Sequence, residues 1–186
     1  MSKVAIIGNA SGTGVFTVAS PNSNVDRVLT LPDESGTVLT TTTPGVPVNG
    51  PAFSAYNSAS QTISSTIFTK IAIDTEEFDT ANAYDAANYR FTPQVAGYYQ
   101  INGAMNFSTS TSATRTLVTI RKNNVEAKRG NDTSATNFSV TVSALIYLNG
   151  TTDYVELFAY IAATTAVVTK DLALGTYFQA FLARSA

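Results

Sequence analysis

The stretch Arg90–Phe107, RFTPQVAGYYQINGAMNF, decides the fold. Pro93 and Gly97 punctuate its start as turn residues. Beyond Gly97 the chain alternates. Tyr99, Ile101, Gly103, Met105 and Phe107 fall on one face; Tyr98, Gln100, Asn102, Ala104 and Asn106 fall on the other. Strand side chains have a period of two, so one face here is apolar and the other mostly polar. A core strand of an antiparallel sheet reads this way when only one side packs inward.

Working outward, further strands are predicted near Ala52–Tyr56, Thr66–Ile71, Tyr89–Phe91, Thr116–Arg121, Val125–Arg129, Asn137–Leu148, Tyr154–Ile161 and Thr176–Leu182. Asn123-Asn124 reads as a tight hairpin turn, because both residues tolerate positive φ, and Asn149-Gly150 reads as a second. Many short strands with regular turn signals predict an all-β sandwich or jelly roll. Composition agrees. Charged residues make up 13% of the 186, against roughly 25% in an average domain. Thr, which suits strands, and Asn and Ser, which suit turns, take the polar positions.

Several function classes fall away. A net charge of -2 argues against an electrostatic nucleic-acid binder. Without Cys there is no disulfide framework or thiolate zinc site. Without His there is no Ser-His triad and no imidazole base or metal ligand. No apolar run reaches membrane-spanning length or makes a signal core, so a soluble protein made in a cytoplasm, with no membrane insertion, is expected. No cofactor is expected, and no enzymatic activity.

Residues 1–39 form an N-terminal arm, and residues 40–51, TTTTPGVPVNGP, a linker too rich in Pro and Gly for regular structure. Residues 52–186 form the head. The opening KVAIIGNASGTG imitates a dinucleotide loop, but its glycine spacing is wrong. The β-branched, Pro-interrupted VFTVASPNSN that follows cannot supply the helix N-terminus such a loop needs. Short strands joined by turns remain. The segment GTGVFTVASPNSNVDRVLTLPDESGTVLT resembles one that recurs in bacteriophage tail-fibre and related virion proteins, with Phe16, Leu29, Leu31 and Val38 among the matching positions. The resemblance implies attachment to other virion proteins. An arm this small buries little surface alone, so those four apolar residues need another chain to cover them.

The head carries a second resemblance. FSAY at Phe53–Tyr56, YDAANYRFTPQVAGYYQIN at Tyr84–Asn102, IRKNN at Ile120–Asn124, SALIYLNGTTDYVELFAY at Ser143–Tyr160 and TYFQAFLA at Thr176–Ala183 occur in the order of the complement C1q-like globular head. That family belongs to the tumour-necrosis-factor-like jelly rolls. The last motif has Ala180 in place of its Gly, the hairpin Gly is Asn124, and two residues are inserted between Gly150 and Asp153. The resemblance implies a two-sheet jelly roll assembling as a homotrimer and serving in recognition or structure. Some relatives bind calcium near the trimer axis, and Asp153 is the nearest counterpart by motif.

The pattern itself also asks for a partner. Val140, Val142, Ile146 and Leu148 alternate inward, as do Val155, Leu157, Ala159 and Ile161. The opposite faces should then be polar, yet Tyr154, Phe158 and Tyr160 share one of them. Leu145, Tyr147 and Tyr98 point outward as well, and Tyr177 is placed with them. One aromatic side chain buries ~150–250 Å². Three on one strand would expose roughly 450–750 Å², more than the few hundred Å² usual for a patch on a monomer. Tyr98, Tyr147, Tyr154, Phe158, Tyr160 and Tyr177 are therefore candidate trimer-interface residues, unless one strand's parity is inverted and they are core. The acidic TEEFD (Thr75–Asp79) reads as a solvated loop, with a calcium site as the sharper alternative. Arg121, Lys122, Lys128 and Arg129 cluster around the Asn123-Asn124 hairpin as an exposed polar end or a small anion patch.

Together these readings predict a bacteriophage virion protein: a short trimeric fibre or knob displayed on the particle and contacting a host surface glycan or protein. Polar stretches 108–113 and 131–136 are candidate contact loops. The alternative is a head or tail decoration protein with no receptor-binding role.

Overall fold

The computed structural model describes residues 50–108, 113–134, 138–163, 167–169 and 174–186, with positions 11–15, 17, 22, 24–26 and 28 of the N-terminal part. The chain divides into two units, Met1–Thr37 and Val38–Ala186. Phe16, Leu29, Leu31 and Val38 lie outside the described residues.

Among the described residues there is no helix. The strands are β1 (Ala52–Tyr56), β2 (Gln61–Ile63), β3 (Thr69–Lys70), β4 (Thr75–Asp79), β5 (Tyr84–Asp85), β6 (Arg90–Phe91), β7 (Gly97–Ser108), β8 (Arg115–Lys122), β9 (Val125–Thr133), β10 (Phe138–Leu148), β11 (Val155–Ala162), β12 (Val167–Thr169) and β13 (Tyr177–Ser185). All pairings are antiparallel. The front sheet is built on β7, whose whole length pairs with β10 on one edge. Its other edge pairs with β13 and, at the far end, with β12. β13 continues to β1 and β4, and β12 to β2. The back sheet runs β5-β6-β11-β8-β9, with β3 also on β11.

The alternation predicted for β7 holds: Tyr99, Ile101 and Met105 are buried between the sheets. Phe53 is the hub of this core. Its ring stacks on Tyr84 at 4.5 Å and Phe91 at 4.6 Å, and meets Phe178 edge-on at 5.3 Å. Such ring pairs add about 0.5–1.5 kcal/mol each beyond area burial. Gly103 faces the back sheet, and a methyl there would run into the Leu157 side chain. The two buried phenols find backbone acceptors: Tyr84 donates to Ile73 O and Tyr99 to Val95 O, both at 2.7 Å.

Local signals and long-range ones fared differently. Asn123 and Asn124 take φ of 51° and 64°, so the β8–β9 hairpin turn is as predicted. Asn149-Gly150 is not a hairpin. β10 belongs to the front sheet and β11 to the back, so this loop crosses between layers. Gly150 takes φ 71°, and Asn149 Oδ1 accepts the N–H groups of Thr151, Thr152 and Asp153. The strand expected over Thr66–Ile71 is interrupted: Thr66 has φ 63° in a turn between β2 and β3. TEEFD is not a loop but the edge strand β4. Its carboxylates serve that edge, where Glu77 accepts from Ser54 Oγ at 2.7 Å and Asp79 from Tyr84 N at 2.7 Å. Charge on an exposed edge opposes pairing with a second sheet.

Candidate functional site

The candidate interface residues do not form one wall. Because β10 and β11 lie in different layers, Tyr98, Tyr147 and Tyr177 stand on the outer face of the front sheet. Tyr154, Phe158 and Tyr160 stand on the outer face of the back sheet. The two groups are back to back.

The front group is open. Tyr98, Leu145 and Tyr147 are 45%, 52% and 42% exposed. Tyr98 and Tyr147 are cross-strand partners with ring centroids 5.5 Å apart. With Leu145 and the last residues Ala183–Ala186 they line an open groove of about 550 Å³. Leu145, Gln100 and Phe181 follow one another across three strands, and Phe181 and Phe78 line a second hollow of about 160 Å³. Five large side chains, each leaving roughly 100 Å² uncovered, make roughly 500 Å² of apolar surface. Tyr177 is half-buried beside Tyr56.

Polar groups fill the centre of this face, and three of them bond to one another. Gln100 Nε2 donates to Asn102 Oδ1 at 3.2 Å and to Ser143 Oγ at 2.9 Å, while Ser143 Oγ donates to Asn102 Oδ1 at 2.8 Å. No outward side chain of β7, of β10, or of β13 as far as Ala183 is charged. Loss of charge with gain of Tyr and Phe is the composition of an interface core.

The back group is already roofed by its own chain. Phe158 is 8% exposed. The Arg121 guanidinium lies 4.2 Å from its ring centroid and 4.9 Å from that of Phe68, between the two rings. Phe68 also packs on Tyr160 at 5.0 Å. Arg115 stands over Tyr160, and Arg90 over Tyr154. Phe158 is therefore not a free apolar surface. Ninety residues separate it from Phe68, and no local pattern announces their contact.

Asp153 is spoken for too. Lys122 Nζ lies 2.7 Å from its Oδ2; Asn123 Nδ2 donates to Oδ1 at 2.7 Å, and Asn149 N to Oδ2 at 3.0 Å. Burial opposes ionisation of this carboxyl, but those donors, Lys122 first, hold it below the usual carboxylate range. Asp153 ties the β8–β9 turn to the β10–β11 crossover. No group of three acidic residues suited to a metal ion occurs among the described residues. Of the candidate contact loops, Asn131–Thr133 belongs to β9, and residues 109–112 and 135–136 lie outside the described residues.

No protein-family model matches the chain, and no curated protein does. Among solved structures the chain is similar to the globular domain of zebrafish complement 1qA protein, with a TM-score of 0.51 and 14% identity over 74% of this chain and 100% of that one. It is also similar to murine APRIL, with a TM-score of 0.54 and 13% identity over 72% of this chain and 100% of that one. Identities this low speak for the fold alone: the head is a C1q/TNF-like jelly roll.

Proposed function

We propose that the chain is a bacteriophage virion protein whose jelly-roll heads join in threes through the front face, with the N-terminal arm holding the trimer on the particle and the head meeting the host surface. The observation that carries this reading is the aromatic front face, uncharged along β7, β10 and β13 as far as Ala183, with Gln100, Asn102 and Ser143 hydrogen-bonded to one another at its centre. The resemblance of the arm to virion segments supplies the setting. Display in threes raises a weak single-site affinity through effective concentration. Particles lacking the protein test the reading. Intact particles that fail to adsorb to the host are expected; fragile particles that adsorb normally would favour the decoration role instead.

A further inference from the structure

Arg121 is placed unlike the other arginines of the back sheet. By register it stands opposite Glu156 on β11 and Glu126 on β9. Both carboxylates are taken elsewhere: Glu156 by Lys70 at 2.8 Å, and Glu126 by Arg129 at 2.7 Å. The Arg121 guanidinium makes no hydrogen bond or ion pair with any described residue, and its Nε is buried without a partner. Beside it the Thr119 hydroxyl, next to Phe158 by register, is buried without a partner as well. The rings of Phe158 and Phe68 clamp the guanidinium, while its Nη groups are neither bonded nor enclosed.

A clamped guanidinium has one unused direction, the plane of its own N–H fork. That fork matches a carboxylate with two parallel hydrogen bonds. The partly buried cation gains more from such a partner than a fully exposed lysine would. Beside it lie the half-buried Phe68, the Tyr160 ring that packs on Phe68 with Arg115 over it, and, next to Phe68 in sequence, the exposed Ile67. A charged fork beside aromatic rings sets one polar group among apolar ones, a combination that ligand sites use.

We infer that Arg121, between Phe68 and Phe158, is an anion site for an acidic saccharide, the fork taking the carboxylate and the side chains beside it the face of the sugar ring. It gives the host contact of the proposed head a chemical class and rests on that reading for its biological setting only. A trimer closed through the front face leaves the back face, and so this site, outward.

The test is nuclear magnetic resonance of the full chain, observing the Arg121 Nε–H signal during titration with galacturonate, galactose or acetate. Galacturonate is expected to move that signal at millimolar concentration, and less at high salt. Galactose should leave it in place, and acetate should bind at least about tenfold more weakly than galacturonate. Arg121→Gln should abolish binding while the remaining spectrum stays dispersed; Arg121→Lys, which keeps the charge without the fork, should lose at least about tenfold. An unmoved signal at millimolar galacturonate overturns the site, and so does undiminished binding by folded Arg121→Gln. Acetate binding as tightly as galacturonate overturns the saccharide assignment. Because the titration reads the wild-type signal directly, it remains decisive if the variants fail to fold. It also does not depend on oligomeric state, so its failure is distinguishable from failure of the trimer.

Discussion

The two outer faces of the sandwich carry similar aromatic side chains and cover them to different degrees. On the back sheet each outward ring has a cation over it: Arg90 on Tyr154, Arg121 on Phe158, Arg115 on Tyr160. Every ion pair among the described residues has its cation on a strand of this sheet. On the front sheet, among the described residues, only Tyr147 has a cation near its ring, Lys122 Nζ at 5.7 Å; Tyr98, Leu145 and Phe181 have no such roof, and amides and hydroxyls lie between them. A charged side chain can cover apolar surface while keeping its head in water. A face that meets another protein cannot use that device freely, because each buried charge then needs a partner. The aromatic rings are thus common to both faces, and what distinguishes them is the company the rings keep.

The largest expected effect removes what both faces rest on. Phe53→Ala takes out the ring that joins Tyr84, Phe91 and Phe178, and should cost about 3–5 kcal/mol in a denaturant titration. Next comes a pair of truncations, one on each face. Phe158→Ala should cost about 3 kcal/mol of fold stability, since it empties the clamp around Arg121 and leaves any oligomer in place. Tyr147→Ala should change the fold by less than about 1 kcal/mol and weaken self-association, as sedimentation will show. Equal behaviour of the two variants would erase the contrast.

Alkaline pH should loosen the interior that the faces share. Burial pushes the Tyr99 phenol up to about 12, and raises that of Tyr84 further. Unfolded tyrosines lose their proton near pH 10, so above that pH the folded state binds more protons than the unfolded one. Stability should be intact below about pH 10 and fall as pH rises toward 12, by about 1.4 kcal/mol per unit for each phenol. Melting temperatures across that window check it. On the acid side, Asp153 should contribute above its ordinary carboxylate pKa and lose that contribution as pH falls through its lowered folded value. Asp153→Asn should cost about 1 kcal/mol and should flatten that acid limb.

Much of this was legible in the sequence, and the residues show where legibility stops. The inward set of β7 and the Asn123-Asn124 turn are local facts, written in alternation and in tolerance of positive φ. The edge strand β4 was hidden because TEEFD has the composition of a loop and pairs on one side only. The division of the aromatic residues between two faces was hidden for a stronger reason. Alternation says whether a side chain points in or out of its own sheet, and it reads the same whether β10 and β11 share a sheet or face each other. The roof over Phe158 depends on Phe68, brought there by the turn at Thr66 between β2 and β3. Such contacts follow from topology, not from spacing.

Sedimentation velocity of the full chain at micromolar concentration tests the central contrast most directly, with Leu145→Asp run beside it. The wild type should sediment as a trimer, near three times 19.6 kDa, and Leu145→Asp as a folded monomer with the same β-type circular dichroism. A wild-type monomer at that concentration, or a trimer indifferent to a carboxylate in the centre of its front face, would contradict the account.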